Sequence, residues 1–185
     1  MKLHHTPLNL ALCTLLAAIP LAALAQTLNP AAQRISDTAI HADYQTYEAT
    51  QGRIKALNDG GRRVRDYHLS KAQCWLDVSF HEYTRNDRSA FPQEALDQSV
   101  RLIALMEQKA SPLPMDTPLV NGADKLRPDL WEAAEQWKTR DGFQCVAQRV
   151  SCAEVELVHA GNEHKQQAWR HAKPYVQIAE DLLAQ

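Results

Sequence analysis

The chain has 185 residues, of which 45% are hydrophobic and 23% charged, so it can bury one core but is short for two. Its 20 Lys and Arg residues against 22 Asp and Glu give a net charge of -2, which excludes the basic surplus that holds a nucleic-acid backbone. With only 6 Gly, the sequence contains no glycine-rich phosphate-binding loop, and we expect no cofactor.

The N-terminal segment has the pattern of an export signal. A cationic head precedes an apolar run that ends at Ala23–Ala25, where the small side chains are those that signal peptidase accepts. We predict a signal peptide over residues 1–25 and a helical periplasmic domain over residues 26–185, with outer-membrane association left open. No second apolar run approaches the roughly 20 residues that span a bilayer, so we expect no transmembrane segment in the mature chain.

Apolar residues then recur at helical spacing along the chain. The stripe from Ile40 to Leu57 predicts a first helix, which Asn58–Gly61 ends because glycine readily adopts the left-handed conformation of a helix terminus. A second helix is predicted from Leu69 to about Asn86. A third begins near Pro92, since proline is favoured in the first helical turn, and continues to Gln108.

Further helices are predicted in the C-terminal half. Three prolines within Pro112–Pro118 predict an extended connector, and a short aromatic helix follows between Pro128 and Gly142. Ser151 with Glu154 forms a capping-box pattern, which predicts that another helix starts there. Pro174 is expected to kink or end that helix before a last amphipathic piece.

These patterns predict the fold class. No segment shows clean period-two alternation between hairpin turns, whereas helical stripes repeat through the chain. We therefore predict an all-α single domain of about five to seven antiparallel amphipathic helices. A tetratricopeptide array is the alternative, but successive segments do not superimpose on a 34-residue pattern.

Three cysteines follow residue 25, so at most one intramolecular bridge can form. We predict a Cys145–Cys152 bridge, because the eight-residue loop closes with the smallest loss of entropy. Cys74 is then a buried free thiol on the second helix. The alternative is that Cys74 bridges one of the other two.

One histidine-rich segment is the main candidate for chemistry. His159 and Glu163 would share a helix face, and His164 and His171 would share another. Zinc needs three or four ligands that converge on one point, whereas these two pairs diverge and Gly161 interrupts the segment. A solvated polar face is therefore favoured over a metal site.

Two tryptophans are candidates for a binding surface. Trp131 and Trp137 lie six residues apart on the aromatic helix, so they point in different directions, and core packing is their default role. No Gly-x-Ser-x-Gly elbow, Ser-x-x-Lys pair or His-Glu-x-x-His helix is present, which leaves catalysis without a recognisable nucleophile or metal motif.

Two longer parts of the sequence resemble a known group of proteins. They contain the strings YHLSKAQCWLD (Tyr67–Asp77) and EYTRNDRS (Glu82–Ser89), and later CAEVEL (Cys152–Leu157) and WRHAKPY (Trp169–Tyr175). The region from about Ala56 onward is similar to the helical N-terminal region of OmpA-family cell-envelope proteins of Gram-negative bacteria. The resemblance implies a helical fold and an envelope location. It implies no activity for any residue, and the peptidoglycan-binding domain of that group is not matched here.

Three functional hypotheses follow from these observations. The first is a non-catalytic envelope module, a scaffold or adaptor that binds another envelope protein or a cell-wall component. The second is a small envelope hydrolase or metal-dependent enzyme that uses the segment from His159 to His171. The third is a helical bundle with an apolar ligand pocket lined by Trp131 and Trp137. We also consider that the chain is one half of a split OmpA-family protein.

Overall fold

The computed structural model describes residues 27–184, which contain six α-helices. In chain order these are α1 (Asp37–Asp59), α2 (Tyr67–Thr84), α3 (Phe91–Glu107), α4 (Pro128–Lys138), α5 (Phe143–Gln167) and α6 (Trp169–Leu183). A 3-10 turn lies in the connector between α3 and α4, and no strand occurs between residues 27 and 184. The predicted all-α single domain is confirmed.

The predicted signal peptide, residues 1–25, lies outside the described residues. Each helix within residues 27–184 is too short or too polar to cross a bilayer.

Local capping explains where the first two helices begin. The Ser36 hydroxyl accepts a hydrogen bond from the Ala39 amide at the start of α1. At the start of α2, the Asp66 carboxylate accepts two, from the amides of His68 and Leu69. Both caps satisfy amides that have no partner within their own helix.

The hairpins α2–α3 and α5–α6 pack antiparallel, whereas the central pair, α2 and α5, is parallel. Ser99 donates to the Ala72 carbonyl and Ser79 to that of Pro92, so α3 runs back along α2. In contrast, the contacts between α2 and α5 advance in the same direction along both helices: Ser70 with Ser151, then Cys74 with Cys152, then Glu82 with His159. The α2–α5 interface therefore joins residues about 80 positions apart.

The helices of the C-terminal half begin and end at other residues than the sequence predicts. Helix α5 is continuous from Phe143, so Ser151 lies inside it, fully buried, and caps nothing. The helix ends at Gln167, and the next residue, Ala168, whose φ is 63°, turns the chain back into α6. Pro174 lies within α6. The predicted helix start at Ser151 is therefore wrong, and so is the prediction that this helix ends at Pro174.

The predicted Cys145–Cys152 bridge is also wrong. Both residues lie on the continuous helix α5, where seven residues span about 10 Å, beyond the Cα separation that a disulfide allows. Cys74 of α2 instead bonds to Cys152, with their Cα atoms 5.5 Å apart, and Cys145 is an exposed free thiol. The bridge thus joins the two central helices.

Gly161 allows the connector to pack directly on α5. A Cβ atom at this position would lie 2.1 Å from the Asp124 carbonyl oxygen, a distance at which the two atoms overlap. The Asp124 amide also donates to the Gly161 carbonyl at 3.2 Å. Glycine here makes the contact possible, although in the sequence it predicts only a weakened helix.

We therefore expect Gly161→Ala to lower the free energy of unfolding by about 2–3 kcal/mol, because the added methyl must displace backbone. Urea denaturation of the oxidised protein measures this. Gly52→Ala is the matched control, since a Cβ there meets no atom within 4 Å, and it should leave stability unchanged or raise it by up to about 1 kcal/mol. Equal stability of the two variants would contradict the close contact.

Candidate functional site

Charged and aromatic side chains from three helices meet at one end of the α2–α5 interface. We call this group the carboxylate–histidine cluster. It consists of His81, Glu82 and Arg85 from α2, Glu156, His159 and Glu163 from α5, and His171 and Tyr175 from α6. Glu82, His159 and Glu163 are buried, whereas His81, Arg85 and His171 reach the surface.

His159 is held between two carboxylates. Its Nε2 atom lies 2.9 Å from Glu82 Oε1, and its Nδ1 atom lies 3.2 Å from Glu156 Oε2. Burial lowers the pKa of His159, but the hydrogen bonds to Glu156 and Glu82 outweigh it, so its pKa lies above the ordinary value. An ionised carboxylate can only accept, so each ring nitrogen must present a proton or another positive centre to its partner.

Glu163 is a buried carboxylate whose oxygens accept no hydrogen bond from any residue in the range 27–184. Its side chain is 1% exposed, and Nη2 of the Arg85 guanidinium and the ring atom Nδ1 of His171 lie 3.9 and 3.8 Å from Oε2. Burial and the neighbouring Glu82 carboxylate raise the pKa of Glu163. Glu163 therefore keeps acceptor capacity that the described residues do not fill.

The outer part of the cluster is arranged around Tyr175. Its hydroxyl lies 3.0 Å from His81 Nε2 and accepts a hydrogen bond from Arg85 Nη1 at 2.8 Å. Its ring lies 3.8 Å from the His159 ring, centroid to centroid. Tyr175 thus connects the exposed His81 and Arg85 to the buried His159.

The structure brings together three of the four candidates from the histidine-rich segment. His159 and Glu163 share a face of α5, and α6 returns His171 to Glu163 after the turn at Ala168. His164 lies elsewhere, with Nδ1 2.7 Å from Asp124 Oδ2 on the connector. The predicted sharing of one face by His164 and His171 is wrong, because the chain reverses between them.

The two tryptophans pack separately. Trp131 is buried in the core with Lys125 Nζ 5.4 Å from its ring centroid. Trp137 is half-buried, and the Arg140 guanidinium lies 4.5 Å from its ring centroid. They do not face one another across a shared pocket, in line with their separation around α4.

A second buried network lies at the other end of the α2–α5 interface. Lys71 Nζ lies 3.3 Å from Glu154 Oε2, and Lys138 Nζ lies 2.5 Å from Glu154 Oε1. Tyr67 donates to Glu154 at 2.5 Å, and Thr117 lies 2.5 Å from Lys71 Nζ. Burial lowers the pKa of Lys71 to about 8, although Glu154 acts in the opposite direction. Two ammonium groups, those of Lys71 and Lys138, thus surround the buried Glu154 carboxylate, and we assign this network a structural role.

The surface between α1 and α2 carries an aromatic groove of about 470 Å³. Tyr44 and Phe80 are about 40% exposed there, above the buried side chains of Tyr47 and Leu76. The Tyr47 and Phe80 rings meet edge to face with centroids 4.9 Å apart. The rim is polar and includes the following residues: His41, Gln45, Glu48, Gln51 and Asp77.

Sequence reasoning missed Glu82 and Arg85. One signal for Glu82 was present in the sequence. Glu82 follows the apolar residues Trp75 and Val78 at helical spacing, so it lies on the same buried face of α2, where a carboxylate needs a partner. The partner could not be read from the sequence, since His159 lies 77 positions away.

Comparison with known proteins adds no relative: the chain matches no protein-family model, no curated protein and no solved structure.

Proposed function

We propose that this chain is a non-catalytic module of the cell envelope that binds another envelope protein at the aromatic groove. The observation that carries the proposal is the pair of exposed rings, Tyr44 and Phe80, above an apolar floor with a polar rim. Aromatic side chains within a polar rim are typical of the centre of a protein–protein interface.

The composition of the groove specifies the chemistry of the partner. The floor offers Tyr47 and Leu76 to an apolar side chain, and the rim carries the carboxylates of Glu48 and Asp77. A segment that presents an apolar side chain next to a Lys or Arg would complement both features. We therefore propose an envelope protein with such a segment as the occupant.

Three observations support an envelope location. The pattern of residues 1–25 is typical of an export signal, and the Cys74–Cys152 bond is of the kind that persists in oxidising compartments. The resemblance to the helical region of OmpA-family proteins, which remains a prediction, favours the same compartment.

The arrangement of His159 favours binding over catalysis. Both of its ring nitrogens face carboxylates, and the carboxylate–histidine cluster contains no Ser or Cys, so His159 has no serine hydroxyl or cysteine thiol there to activate. The alternative of a metal-dependent enzyme has one supporting observation, the approach of His81, Glu82 and His159 to one another.

Photo-crosslinking in intact cells tests the proposal. A photoreactive phenylalanine analogue at position 44 or 80 should give the same crosslinked envelope protein, and the linked peptide should contain an apolar residue beside Lys or Arg. The same analogue at Trp169, an exposed ring on α6 that does not line the groove, should not give it. Glu48→Lys should reduce the yield from position 80, because the new Lys cancels the remaining negative charge of Asp77 on the rim.

Two results would contradict the proposal. One is the same set of products from positions 80 and 169, which would mean nonspecific contact. The other is an unchanged crosslinking yield in Glu48→Lys. That result would show that the charge of the rim does not contribute to binding, and the proposed basic residue of the partner would then have no support.

A further inference from the structure

His81, Glu82 and His159 converge from two helices in the way that metal ligands do. One ligand atom from each lies within 4.8 Å of the other two. His159 Nε2 lies 2.9 Å and His81 Nε2 lies 3.6 Å from the same oxygen, Glu82 Oε1. Ligands about 2.1 Å from a tetrahedral Zn²⁺ are separated by about 3.4 Å, so small shifts would complete the site.

The second ring nitrogen of His159, Nδ1, contacts a carboxylate, as the non-ligating nitrogen of a metal-binding histidine commonly does. Glu156 Oε2 lies 3.2 Å from His159 Nδ1, which fixes the proton on that nitrogen and directs the Nε2 lone pair toward Glu82. Such a lone pair and a carboxylate oxygen at 2.9 Å repel each other unless a proton or a cation lies between them.

Carboxylates outnumber guanidinium groups in the carboxylate–histidine cluster. It contains three carboxyl side chains, Glu82, Glu156 and Glu163, and one guanidinium, Arg85. This composition suits a bound cation. Glu163 adds an independent observation, because it is a buried carboxyl group of the same cluster that accepts no hydrogen bond from the described part of the chain.

We propose that His81, Glu82 and His159 bind a divalent transition-metal ion, with Zn²⁺ the best match to two imidazoles and one carboxylate. Binding requires that His159 release any Nε2 proton to solvent while Glu156 keeps the proton on Nδ1. His81 is half-exposed, so the ion can enter from the surface beside Tyr175. Three protein ligands leave a fourth position for water or for a donor from a partner.

Metal titration of the mature chain, purified without an affinity tag and treated with a chelator, tests this site. Zn²⁺ should bind with a stoichiometry of one in competition with a chromophoric chelator, and Co²⁺ should give visible absorption. His81→Ala should weaken binding about tenfold or more, and Glu156→Gln, which acts through His159, should weaken it by about ten- to a hundredfold.

His164→Ala is the matched control, because His164 pairs with Asp124 outside the cluster. It should bind Zn²⁺ within about twofold of the parent chain. Since His81 is half-exposed, His81→Ala keeps the test decisive even if variants of the buried His159 do not fold; circular dichroism verifies the fold of each variant. The absence of stoichiometric Zn²⁺, or equal loss in His81→Ala and His164→Ala, would overturn the site. Neither result bears on the aromatic groove.

Discussion

Cys152→Ala is expected to lower the free energy of unfolding by about 4–5 kcal/mol. The Cys74–Cys152 bond spans 78 positions, so its removal frees a long loop in the unfolded chain, and the entropy of that loop favours unfolding. The bond also joins α2 to α5 at the centre of their interface. Guanidinium denaturation of the parent chain and the variant, both under non-reducing conditions, measures the difference.

Cys145→Ala is the matched control for this prediction. Cys145 is exposed and free, so its replacement should change stability by less than about 0.5 kcal/mol. Non-reducing peptide mapping should recover the peptides of Cys74 and Cys152 as one linked species. A linked peptide that contains Cys145 would contradict the structure.

Glu154→Gln is expected to lower the free energy of unfolding by about 3–5 kcal/mol. The Glu154 carboxylate is fully buried and is the counter-charge of the buried Lys71, so its loss leaves an ammonium group in the core without compensation. Lys138 also loses the partner that it approaches at 2.5 Å, although it keeps Glu135. Urea denaturation near pH 7 measures the change.

Glu107→Gln is the control that removes a carboxylate charge from an ion pair outside the core. Glu107 pairs with Arg53 at a largely solvent-exposed position, so its replacement should cost less than about 1 kcal/mol. Combining Lys71→Met with Glu154→Gln should recover part of the loss, because the ammonium is removed together with its partner. If the double variant is no more stable than Glu154→Gln alone, the loss does not come from an isolated Lys71.

The sequence predicts helices well where an apolar stripe and a terminal signal agree. Helices α1 to α4 follow their stripes, and Pro128 begins α4 as expected. The prediction from the sequence fails for α5, because a Ser followed three positions later by Glu is equally compatible with the interior of a helix. Only packing shows that Ser151 is buried against Ser70, and the disulfide error follows from the same mistake.

The carboxylate–histidine cluster could be predicted only in part, for a geometric reason. The sequence shows that His159 and Glu163 lie one turn apart on a helix, which holds in the structure. The position of His171 depends on the backward turn at Ala168, a residue type with no preference for positive φ. The contact of Glu82 with His159 depends on the parallel packing of α2 on α5, and no local sequence pattern predicts that packing.

The parallel packing of α2 and α5 has a consequence for how the chain folds. Contacts within the hairpins α2–α3 and α5–α6 are local in sequence, so these hairpins can form early with little loop-closure entropy. Neither hairpin alone can pair Lys71 with Glu154 or Glu82 with His159. We expect these charges to stay hydrated until α2 docks on α5, when both networks are buried together. The slowest step in folding would then be the one that assembles the carboxylate–histidine cluster.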